Sequence, residues 1–458
     1  MTQFYAPIAR LPSGWQPHVA IDVDHAGTIT RVRPHADQAT ADQILQGPIL
    51  PGLANAHSHA FQRAMAGLAE HRLNPTDSFW SWREQMYRIA LQISPDQLYD
   101  IALYLYIELL EGGFTSIAEF HYLHHQLSGV PYTNPAQMYA AISQAAADAG
   151  IALTLLPTLY SYSDFAQQPA SEQQRRFIQQ TDQYLRQLAD GQAIIEHQPQ
   201  QRLGGCFHSL RACSIEQIQD VITELPSDWP LHIHISEQQR EVQQCQAVHG
   251  TTPVRWLNQH IPLDPRWTLI HATHIDSEER SLIAQSGAVA GICPTTEASL
   301  GDGIFATQSY LQQGGQLAIG TDSHVGTTAT EELRWLEYAQ RLSLQQRNCL
   351  AGTETTSTGD HLLNRVYEGG ARALGQKIGK LAVGFRADWL ELDTQNPWFN
   401  TADSSHLTDT WIFATQSPLI KNVMVAGAWK IRNFEHPRRE QARIQLEKTL
   451  HQLRQRQA

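Results

Sequence analysis

The segment Ile49-Leu50-Pro51-Gly52-Leu53-Ala54-Asn55-Ala56-His57-Ser58-His59 joins an apolar run to a pair of histidines. The run has the composition of a buried β-strand and ends in small and polar residues. Because alternate residues of an extended chain point to the same side, both imidazoles lie on one face. The segment therefore predicts a strand that carries two imidazoles at its carboxyl end.

The same pattern, an apolar run that ends in small or polar residues, recurs along the chain as far as Asp322. The eight strand candidates are Ile49 to Asn55, Thr115 to Phe120, Ala152 to Leu156, Leu203 to Phe207, Leu231 to Ile235, Trp267 to Ile270, Ala288 to Ile292 and Leu317 to Ile319. The helix candidates between them include Pro95 to Leu110, Asn134 to Ala149, Ser171 to Leu188, Ile215 to Thr223 and Glu331 to Leu344. Strands that alternate with helices predict an α/β fold, here a (β/α)8 TIM-like barrel.

The two ends of the chain have a different pattern, with short alternating segments and turn residues. Val19 to Val23 and Ile29 to Val32 predict one hairpin, Val423 to Ile431 predicts a second, and Ala387 to Leu392 predicts a further strand. We expect a small β-sandwich domain built from both termini, with a final helix from about Arg438 to Arg456. The predicted domain limits are residues 1–48 and 377–458 for the two parts of this β domain and residues 49–376 for the barrel.

Composition excludes several functional classes. The 458 residues carry a net charge of −12, which argues against nucleic acid or an anionic membrane as a partner. No apolar stretch approaches the roughly 20 residues of a membrane span, and the N-terminus has no basic and apolar leader pattern. The five cysteines include no C-x-x-C pair, so a thiolate metal site is not indicated. We therefore expect a cytoplasmic protein that acts on a small molecule.

Histidines and carboxylates follow several of the predicted strands, where a parallel barrel carries its catalytic groups. His57 and His59 follow the first strand, His234 lies on the fifth, His271 ends the sixth and Asp322 follows the eighth. Three imidazoles and a carboxylate suit Zn²⁺ or Fe²⁺ with one position open for water. Such an ion lowers the pKa of its bound water to about 7, so the water can begin a hydrolysis at neutral pH.

Some assignments stay open at this stage. A lone H-x-H pair is weak evidence, and the argument rests on the coincidence of ligand types at several strand ends. On the fifth strand either His232 or His234 is the candidate ligand, and the H-x-x-E spacing to Glu237 favours His234. Five other histidines are interpreted as supporting, substrate-facing or incidental residues: His121, His124, His125, His274 and His324.

These motifs resemble the amidohydrolase superfamily, whose metal-dependent hydrolases share the barrel. More closely, the chain resembles the formimidoylglutamate deiminase family of that superfamily. The motifs that carry this likeness are His57 to Gly67, Ser78 to Arg83, Glu119 to Tyr122, Cys206 to Arg211, Glu297 to Phe305 and Thr321 to His324. They are distributed over nearly the whole chain.

The resemblance implies one zinc ion per chain, held by His57, His59, His234 and Asp322, with Fe²⁺ as a possible substitute. It also implies catalytic roles for Glu237 and His271, and we expect a homodimer. Binuclear relatives bridge two metals with a lysine at the end of the fourth strand. This chain has no lysine before Lys377, which agrees with a single metal.

The implied reaction is the hydrolytic deimination of N-formimino-L-glutamate to N-formyl-L-glutamate and ammonia, a step of histidine degradation, through a zinc-bound hydroxide. Glu237 would protonate the departing nitrogen, Asp322 would accept the proton of the water, and His271 would hydrogen-bond the attacking oxygen. The catalytic residues are thus Glu237, His271 and Asp322.

The substrate is a dicarboxylate, and a guanidinium group is the best partner for a carboxylate. Arg211 and Arg83 are the candidates, although Arg83 could equally be a surface helix residue packed on Trp80 or Trp82. The resemblance adds polar groups to the substrate pocket: Gln62, Tyr122 and His208.

Other functions share the same metal ligands. The alternatives are an amidohydrolase that deaminates a nucleobase, a nucleoside, a guanidino compound or another formimino-amino acid. A barrel without activity, used for assembly, is a further alternative. It would be expected to lose ligands, and here every ligand is present.

Overall fold

The computed structural model describes residues 1–71, 77–353, 355–400, 403–415 and 419–456. The strands are β1 (Thr2–Leu11), β2 (Gly14–Val23), β3 (Ile29–Arg33), β4 (Gln43–Ile44), β5 (Ile49–Pro51), β6 (Leu53–Ser58), β7 (Phe114–His121), β8 (Ala152–Pro157), β9 (Gln201–Leu203), β10 (Gly205–Ser209), β11 (Leu231–Ile235), β12 (Trp267–His271), β13 (Val289–Ile292), β14 (Gln316–Ile319), β15 (Trp389–Leu392), β16 (Ile420–Val425) and β17 (Ala428–Ile431). The helices are α1 (Phe79–Ala90), α2 (Pro95–Glu111), α3 (Gln137–Ala149), α4 (Thr181–Ile195), α5 (Ile215–Glu224), α6 (Gln239–His249), α7 (Pro253–His260), α8 (Ser277–Ser286), α9 (Pro294–Leu300), α10 (Thr307–Gln312), α11 (Ala329–Leu344), α12 (Thr358–Leu374), α13 (Pro397–Asn400), α14 (Leu407–Asp409) and α15 (Arg439–Gln455).

The central strands are parallel, as the alternation of strands and helices predicts. They form two sheets, with strand orders β6-β7-β8-β9 and β10-β11-β12-β13-β14. The predicted fourth strand is divided between the two sheets at Gly204. A Cβ atom at this residue would lie 2.7 Å from the Leu156 side chain and 2.8 Å from the Pro230 carbonyl oxygen. Because the chain passes its neighbours this closely, only glycine fits there.

Backbone hydrogen bonds join the edges of these sheets near the carboxyl ends of the strands. The amides of Thr321 and Asp322 donate to the His57 carbonyl at 3.2 and 3.0 Å, and the His59 amide donates to the Asp322 carbonyl at 3.1 Å. At the other edge, the Leu159 amide donates to the Cys206 carbonyl at 2.9 Å. The segments that follow β6 and β14 therefore lie side by side.

The terminal segments meet in one mixed sheet of eight strands. Its order is β17-β16-β15-β5-β1-β2-β3, and β4 pairs with β1. Both predicted hairpins form, as β2-β3 and β16-β17. The first strand, Thr2–Leu11, was not predicted. The sandwich arrangement of this domain stays a prediction.

One predicted strand is corrected by its pairing. The segment from Ile49 to Asn55 forms two strands, and the first of them, Ile49–Pro51, pairs with β1 and β15 in the terminal sheet. The second, Leu53–Ser58, is the strand that pairs with β7 in the parallel sheet. The N-terminal part of the terminal sheet therefore extends to Pro51 and not to residue 48.

A helix predicted from Ser171 to Leu188 is also wrong at its start, since α4 begins at Thr181 and ends at Ile195. The preceding segment forms a short turn and is buried by tertiary contacts. The Arg176 guanidinium is fully buried and donates to the carbonyl oxygens of His125, at 2.9 Å, and Ala90. These contacts outweigh the helical periodicity of the segment.

Within the described ranges, no helix combines the length and the hydropathy that a membrane span requires.

The close approach of β14 to β6 predicts that Gly320→Ala destabilises the protein. A Cβ atom at Gly320 would lie 2.8 Å from the Cβ atom and 2.9 Å from the amide nitrogen of His57. We expect the substitution to lower the free energy of unfolding by about 1–3 kcal/mol, the usual cost of overpacking. Urea denaturation of both proteins measures the difference.

Gly191→Ala in α4 is the matched control, because the nearest atoms to its added methyl group lie at an ordinary 3.6 Å. It should leave stability unchanged or raise it by up to about 1 kcal/mol through helix propensity. Equal unfolding midpoints for the two variants would contradict the steric argument.

Candidate active site

The carboxyl ends of the strands bring the predicted site residues together. His57 and His59 follow β6, His234 lies in β11, His271 ends β12 and Asp322 follows β14. All five side chains are buried. The sequence order alone placed them on separate strands, and the fold makes them neighbours.

Several residues at these strand ends have a backbone conformation that non-glycine residues rarely adopt. The φ angles of Ser236, His271, Ala272, Asp322 and His324 lie between +46° and +68°. Such strain persists only where the surrounding structure holds it, and it concentrates at functional sites. The conformations therefore mark the ends of β11, β12 and β14 as built for a purpose other than stability.

Carbonyl oxygens determine which ring nitrogen of two histidines carries the proton. His59 Nδ1 lies 2.7 Å from the Phe120 carbonyl oxygen, and His234 Nδ1 lies 2.9 Å from the His208 carbonyl oxygen. Since a carbonyl only accepts, both Nδ1 atoms are the donors and both Nε2 atoms keep a lone pair. These two Nε2 atoms are only 3.3 Å apart, with no proton between them.

The remaining predicted ligands complete this cluster of lone pairs. His57 Nε2 lies 3.1 Å from His234 Nε2, and Asp322 Oδ1 lies 3.4 Å from the Nε2 atoms of both His57 and His59. Ligands at about 2.0–2.1 Å from a tetrahedral zinc ion would lie about 3.3–3.4 Å from one another. The four donor atoms therefore have the separations that one small divalent cation requires.

Burial keeps these histidines neutral, which is the form that binds a metal. Burial and the neighbouring imidazoles hold the pKa of His57 and of His234 well below the ordinary value of 6.5. Burial lowers the pKa of His59 to about 3. His232, the alternative ligand on β11, instead has its Nε2 atom 2.7 Å from the Ala373 carbonyl oxygen, outside the cluster.

A buried chain of hydrogen bonds connects the backbone on either side of the cluster. Asn55 Nδ2 donates to Thr321 Oγ1 at 2.6 Å, and Thr321 Oγ1 lies 2.8 Å from His324 Nδ1. His324 Nε2 lies 2.9 Å from Ser58 Oγ, which donates to Glu119 Oε2 at 2.5 Å. The chain fixes the segment after β6 against the segment after β14. Sequence reasoning gave Glu119 no role, and it left His324 as a supporting or incidental residue.

The other histidines named from the sequence bind backbone carbonyl oxygens. Their ring nitrogens lie near the carbonyl oxygens of Leu123, Thr158, Ile178 and Asp302, for His121, His124, His125 and His274 respectively, at 2.7–2.9 Å. These contacts support loops and leave the four residues out of the metal cluster.

Glu237 and His271 lie beside the cluster in environments that change their proton affinity. Burial raises the pKa of Glu237 to about 7. Burial alone would lower the pKa of His271, but the carboxylates of Glu237, Glu297 and Asp322 outweigh this effect and raise it to about 10. His271 Nε2 lies 3.7 Å from Asp322 Oδ2, the carboxylate oxygen that faces away from the other three histidines.

Glu241 supports the strand end that carries Glu237, a role that sequence reasoning missed. Its carboxylate accepts the amides of Ser236 at 3.0 Å and Glu237 at 3.3 Å. It also lies 3.9 Å from Arg211 Nε, and both side chains are almost fully buried. Its place four residues after Glu237 on α6 was a weak signal, since acidic residues are common in a first helical turn.

A pocket opens above the cluster and contains all the predicted substrate residues. It is lined by His59, Gln62, Phe79, Trp82, Arg83, Met86, Tyr87, Tyr122, Tyr160, His208, Arg211, His234, Glu237, His271, Leu300 and Asp322. Arg83 thus lines the pocket of its own chain. The two tyrosines Tyr87 and Tyr160 were not predicted.

Three polar atoms in the pocket wall have no hydrogen-bond partner among the described residues. They are Gln62 Oε1, Arg83 Nε and Arg211 Nε, although Gln62 Nε2 donates to the Tyr122 hydroxyl at 3.0 Å. The Arg83 guanidinium lies over the Trp80 ring at 4.5 Å and has no ion pair with a described residue. Buried donors without partners are costly, so these groups are suited to a ligand that brings acceptors.

Comparison with known proteins agrees with this geometry. Residues 49–430 match the model of the amidohydrolase family. The formimidoylglutamate deiminase of Pseudomonas aeruginosa is 49% identical over 442 residues, which cover 96% of this chain and 97% of that protein. The 5'-deoxyadenosine deaminase of Methanothermobacter thermautotrophicus is 25% identical over 366 residues, 78% of this chain and 77% of that protein.

Solved structures give the same result. The crystal structure of an amidohydrolase from Brucella melitensis superposes with a TM-score of 0.94 at 41% identity, covering 99% of this chain and 100% of that one. A zinc-bound adenosine deaminase from Xanthomonas campestris has a TM-score of 0.82 at 21% identity over 99% and 98% of the two chains, which shows a shared fold. With a family match over most of its length and close relatives along almost all of it, this chain belongs to the amidohydrolase family.

Proposed function

We propose that this chain hydrolyses N-formimino-L-glutamate to N-formyl-L-glutamate and ammonia, in histidine degradation. The observation that carries the proposal is the pair of arginines in the pocket, Arg83 and Arg211, each with an Nε atom that has no partner among the described residues. The full-length relative with 49% identity is named for this reaction. Together they support both the chemistry and the dicarboxylate substrate.

The pocket suits a small dicarboxylate with its reactive end at the metal ligands. A guanidinium group binds a carboxylate through parallel N–H donors, and two such groups match the two carboxylates of a formimino-glutamate. Gln62, Tyr122 and His208 provide polar contacts between the arginines and the histidine cluster. The formimino carbon then lies beside Asp322 and His271.

The proposed cofactor is one zinc ion per chain, held by His57, His59, His234 and Asp322, with Fe²⁺ as a possible substitute. In this site a divalent ion supplies an activated water and positive charge beside the reacting carbon. The tetrahedral spacing of the donor atoms supports this ligand set. The segment after β10 carries His208 and Ser209, with no lysine to bridge a second ion.

The protein side chains then manage the protons. Asp322 accepts a proton from the attacking water, whose oxygen forms a bond to the formimino carbon while His271 donates a hydrogen bond to it. Glu237, which burial keeps protonated near neutral pH, protonates the terminal nitrogen. The carbon–nitrogen bond breaks, both protons of the water end on the ammonia, and N-formyl-L-glutamate remains.

We also infer that the two parallel sheets close into the predicted (β/α)8 barrel. The hydrogen bonds from Thr321 and Asp322 to His57 at one edge, and from Leu159 to Cys206 at the other, support closure. The division into a barrel and a domain built from both termini remains our proposal. A homodimer and a cytoplasmic location likewise stay predictions. The exposed Trp335 and Leu342 side chains on α11 support the dimer, because apolar surface often marks an interface.

The main alternative is deamination of a nucleobase or nucleoside with the same ligands. Relatives named for such reactions match at lower identity, 25% for the 5'-deoxyadenosine deaminase. A neutral, flat base has no anionic group to pair with Arg83 or Arg211. Another formimino-amino acid or a guanidino acid shares the carboxylates, and the assay below separates it.

Ammonia release from a panel of compounds tests the proposed function. N-formimino-L-glutamate should be the best substrate, ahead of formiminoaspartate, guanidino acids and adenosine derivatives, because it places a carboxylate at each arginine. Glu237→Gln is the control: it should retain the metal but lose about 10²- to 10⁴-fold in rate, the usual worth of general acid–base catalysis. Faster release from an adenosine derivative would refute the proposal.

Metal analysis tests the proposed zinc site. The purified protein should contain about one equivalent of divalent metal per chain, since four ligands converge on one position. His57→Ala and His234→Ala should each lower both metal content and activity, whereas His232→Ala should not remove the metal. Two tightly held equivalents, or full occupancy in His234→Ala, would refute this ligand set.

Arg211→Met tests the reading of a carboxylate. Leaving a buried anion unpaired costs about 2–5 kcal/mol, which corresponds to a loss of roughly 30- to several-thousand-fold in kcat/KM. The penalty should nearly vanish for one of the two monoamides of the substrate. Arg83→Met should lose its penalty with the other monoamide. Metal content should stay unchanged in both variants.

The structure requires one control for this experiment, because Glu241 lies 3.9 Å from Arg211 and also supports Glu237. Removing Arg211 leaves that carboxylate buried without its cation. The double variant Arg211→Met/Glu241→Gln removes the unpaired charge as well. If its loss is the same for the diacid and for both monoamides, Arg211 does not bind a carboxylate.

A further inference from the structure

The imidazole of His271 is held from the side opposite the metal ligands by Glu297. His271 Nδ1 lies 3.1 Å from Glu297 Oε1, and both side chains are buried. His271 Nε2 then faces Asp322 Oδ2 at 3.7 Å. The two ring nitrogens therefore have different partners, one carboxylate behind the ring and the reacting position in front of it.

Glu297 is itself fixed by the first turn of α9. The same oxygen, Oε1, accepts the Cys293 amide at 2.8 Å, and the Glu297 amide donates to the Cys293 carbonyl at 2.9 Å. A negative side chain is favourable at the start of a helix, where amides have no partner within the helix. The carboxylate thus has one defined place, and its Oε1 atom must be an acceptor.

The backbone at His271 adds to the need for such a partner. His271 has a φ of +68° and Ala272 a φ of +46°. The Ala272 amide donates to the Ile270 carbonyl at 3.0 Å, which closes a tight and strained turn around His271. A strained turn persists only when side-chain contacts hold it, and the bond to Glu297 is such a contact.

We propose that Glu297 is the positioning residue of His271: its Oε1 atom keeps Nδ1 as a donor and turns Nε2 toward the reacting centre. This inference rests on the proposed function, in which His271 bonds the attacking oxygen. It also gives a role to the motif Glu297 to Phe305, which the proposed reaction otherwise leaves without one. Partners that orient a catalytic or metal-bound imidazole are typically worth 10–100-fold in activity.

Two substitutions at Glu297 separate the hydrogen bond from the charge. In Glu297→Gln the amide oxygen can still accept from both His271 and Cys293, and turning the amide over would point its NH2 group at the Cys293 amide. The Gln variant should therefore keep the His271 orientation and lose less than about 10-fold in kcat. Glu297→Ala removes both bonds and should lose about 10- to 100-fold in kcat, with KM and metal content near wild type.

Glu332→Gln is the matched structural control. Glu332 is a buried carboxylate that accepts the amide of Thr295 at 3.0 Å and its hydroxyl at 2.5 Å, so it supports the same helix as Glu297. No contact between Glu332 and His271 is found among the described residues. The control should lower thermal stability but retain kcat. A kcat loss in Glu297→Ala no larger than that in Glu332→Gln would refute positioning.

Proton NMR of the zinc-loaded protein provides a readout that does not depend on the substrate. The His271 Nδ1 proton, bonded to a carboxylate, should give a low-field resonance, identified by its loss in His271→Asn. The signal should persist in Glu297→Gln and in Glu332→Gln, and it should vanish or move upfield in Glu297→Ala. An unchanged signal in Glu297→Ala would overturn the proposal, whereas inactivity of the wild type on formimino-glutamate with the expected signals would overturn only the proposed function.

Discussion

The convergence of three imidazole lone pairs and one carboxylate oxygen is the constraint on which this structure depends. His59 and His234 each give their Nδ1 proton to a backbone carbonyl, so their Nε2 lone pairs face each other at 3.3 Å. With His57 and Asp322 Oδ1 also within 3.4 Å, these atoms repel one another unless a cation lies between them. The rest of the site holds that arrangement in place or uses the charge that it binds.

Holding the arrangement requires rigid connections between distant parts of the chain. The amides of Thr321 and Asp322 bind the His57 carbonyl, and the buried chain through Ser58 and Glu119 fixes the same segment from its other side. Strained conformations follow from this construction, because side chains at strand ends must turn inward. The positive φ angles at Asp322 and His271 are the cost of that geometry.

The two arginines of the pocket are balanced in different ways, and this difference affects their roles. Arg211 is almost fully buried and has Glu241 at 3.9 Å, so its charge is compensated before any ligand binds. Arg83 is half-buried and lies over the Trp80 ring without an ion pair to a described residue. A carboxylate therefore meets a preorganised group at Arg211, while at Arg83 it supplies the missing counter-charge. Trp80 also confirms part of the alternative interpretation of Arg83, since the side chain does pack on that ring.

The sequence by itself determined the kind of protein: alternating strands and helices, imidazoles at the ends of particular strands, and an acid after the last of them. These features follow from local periodicity and from the rule that parallel strands present their carboxyl ends together. It could not assign Glu119, Glu241 or Glu297, because an acidic residue looks the same in a solvated helix and in a buried hydrogen bond. Only the tertiary structure decided that His234 and not His232 joins the cluster, that Ile49–Pro51 pairs in the terminal sheet, and that Arg83 lines its own pocket. The reason is physical: each of these depends on contacts between residues far apart in the chain, and local patterns carry no information about which distant groups come within hydrogen-bonding distance.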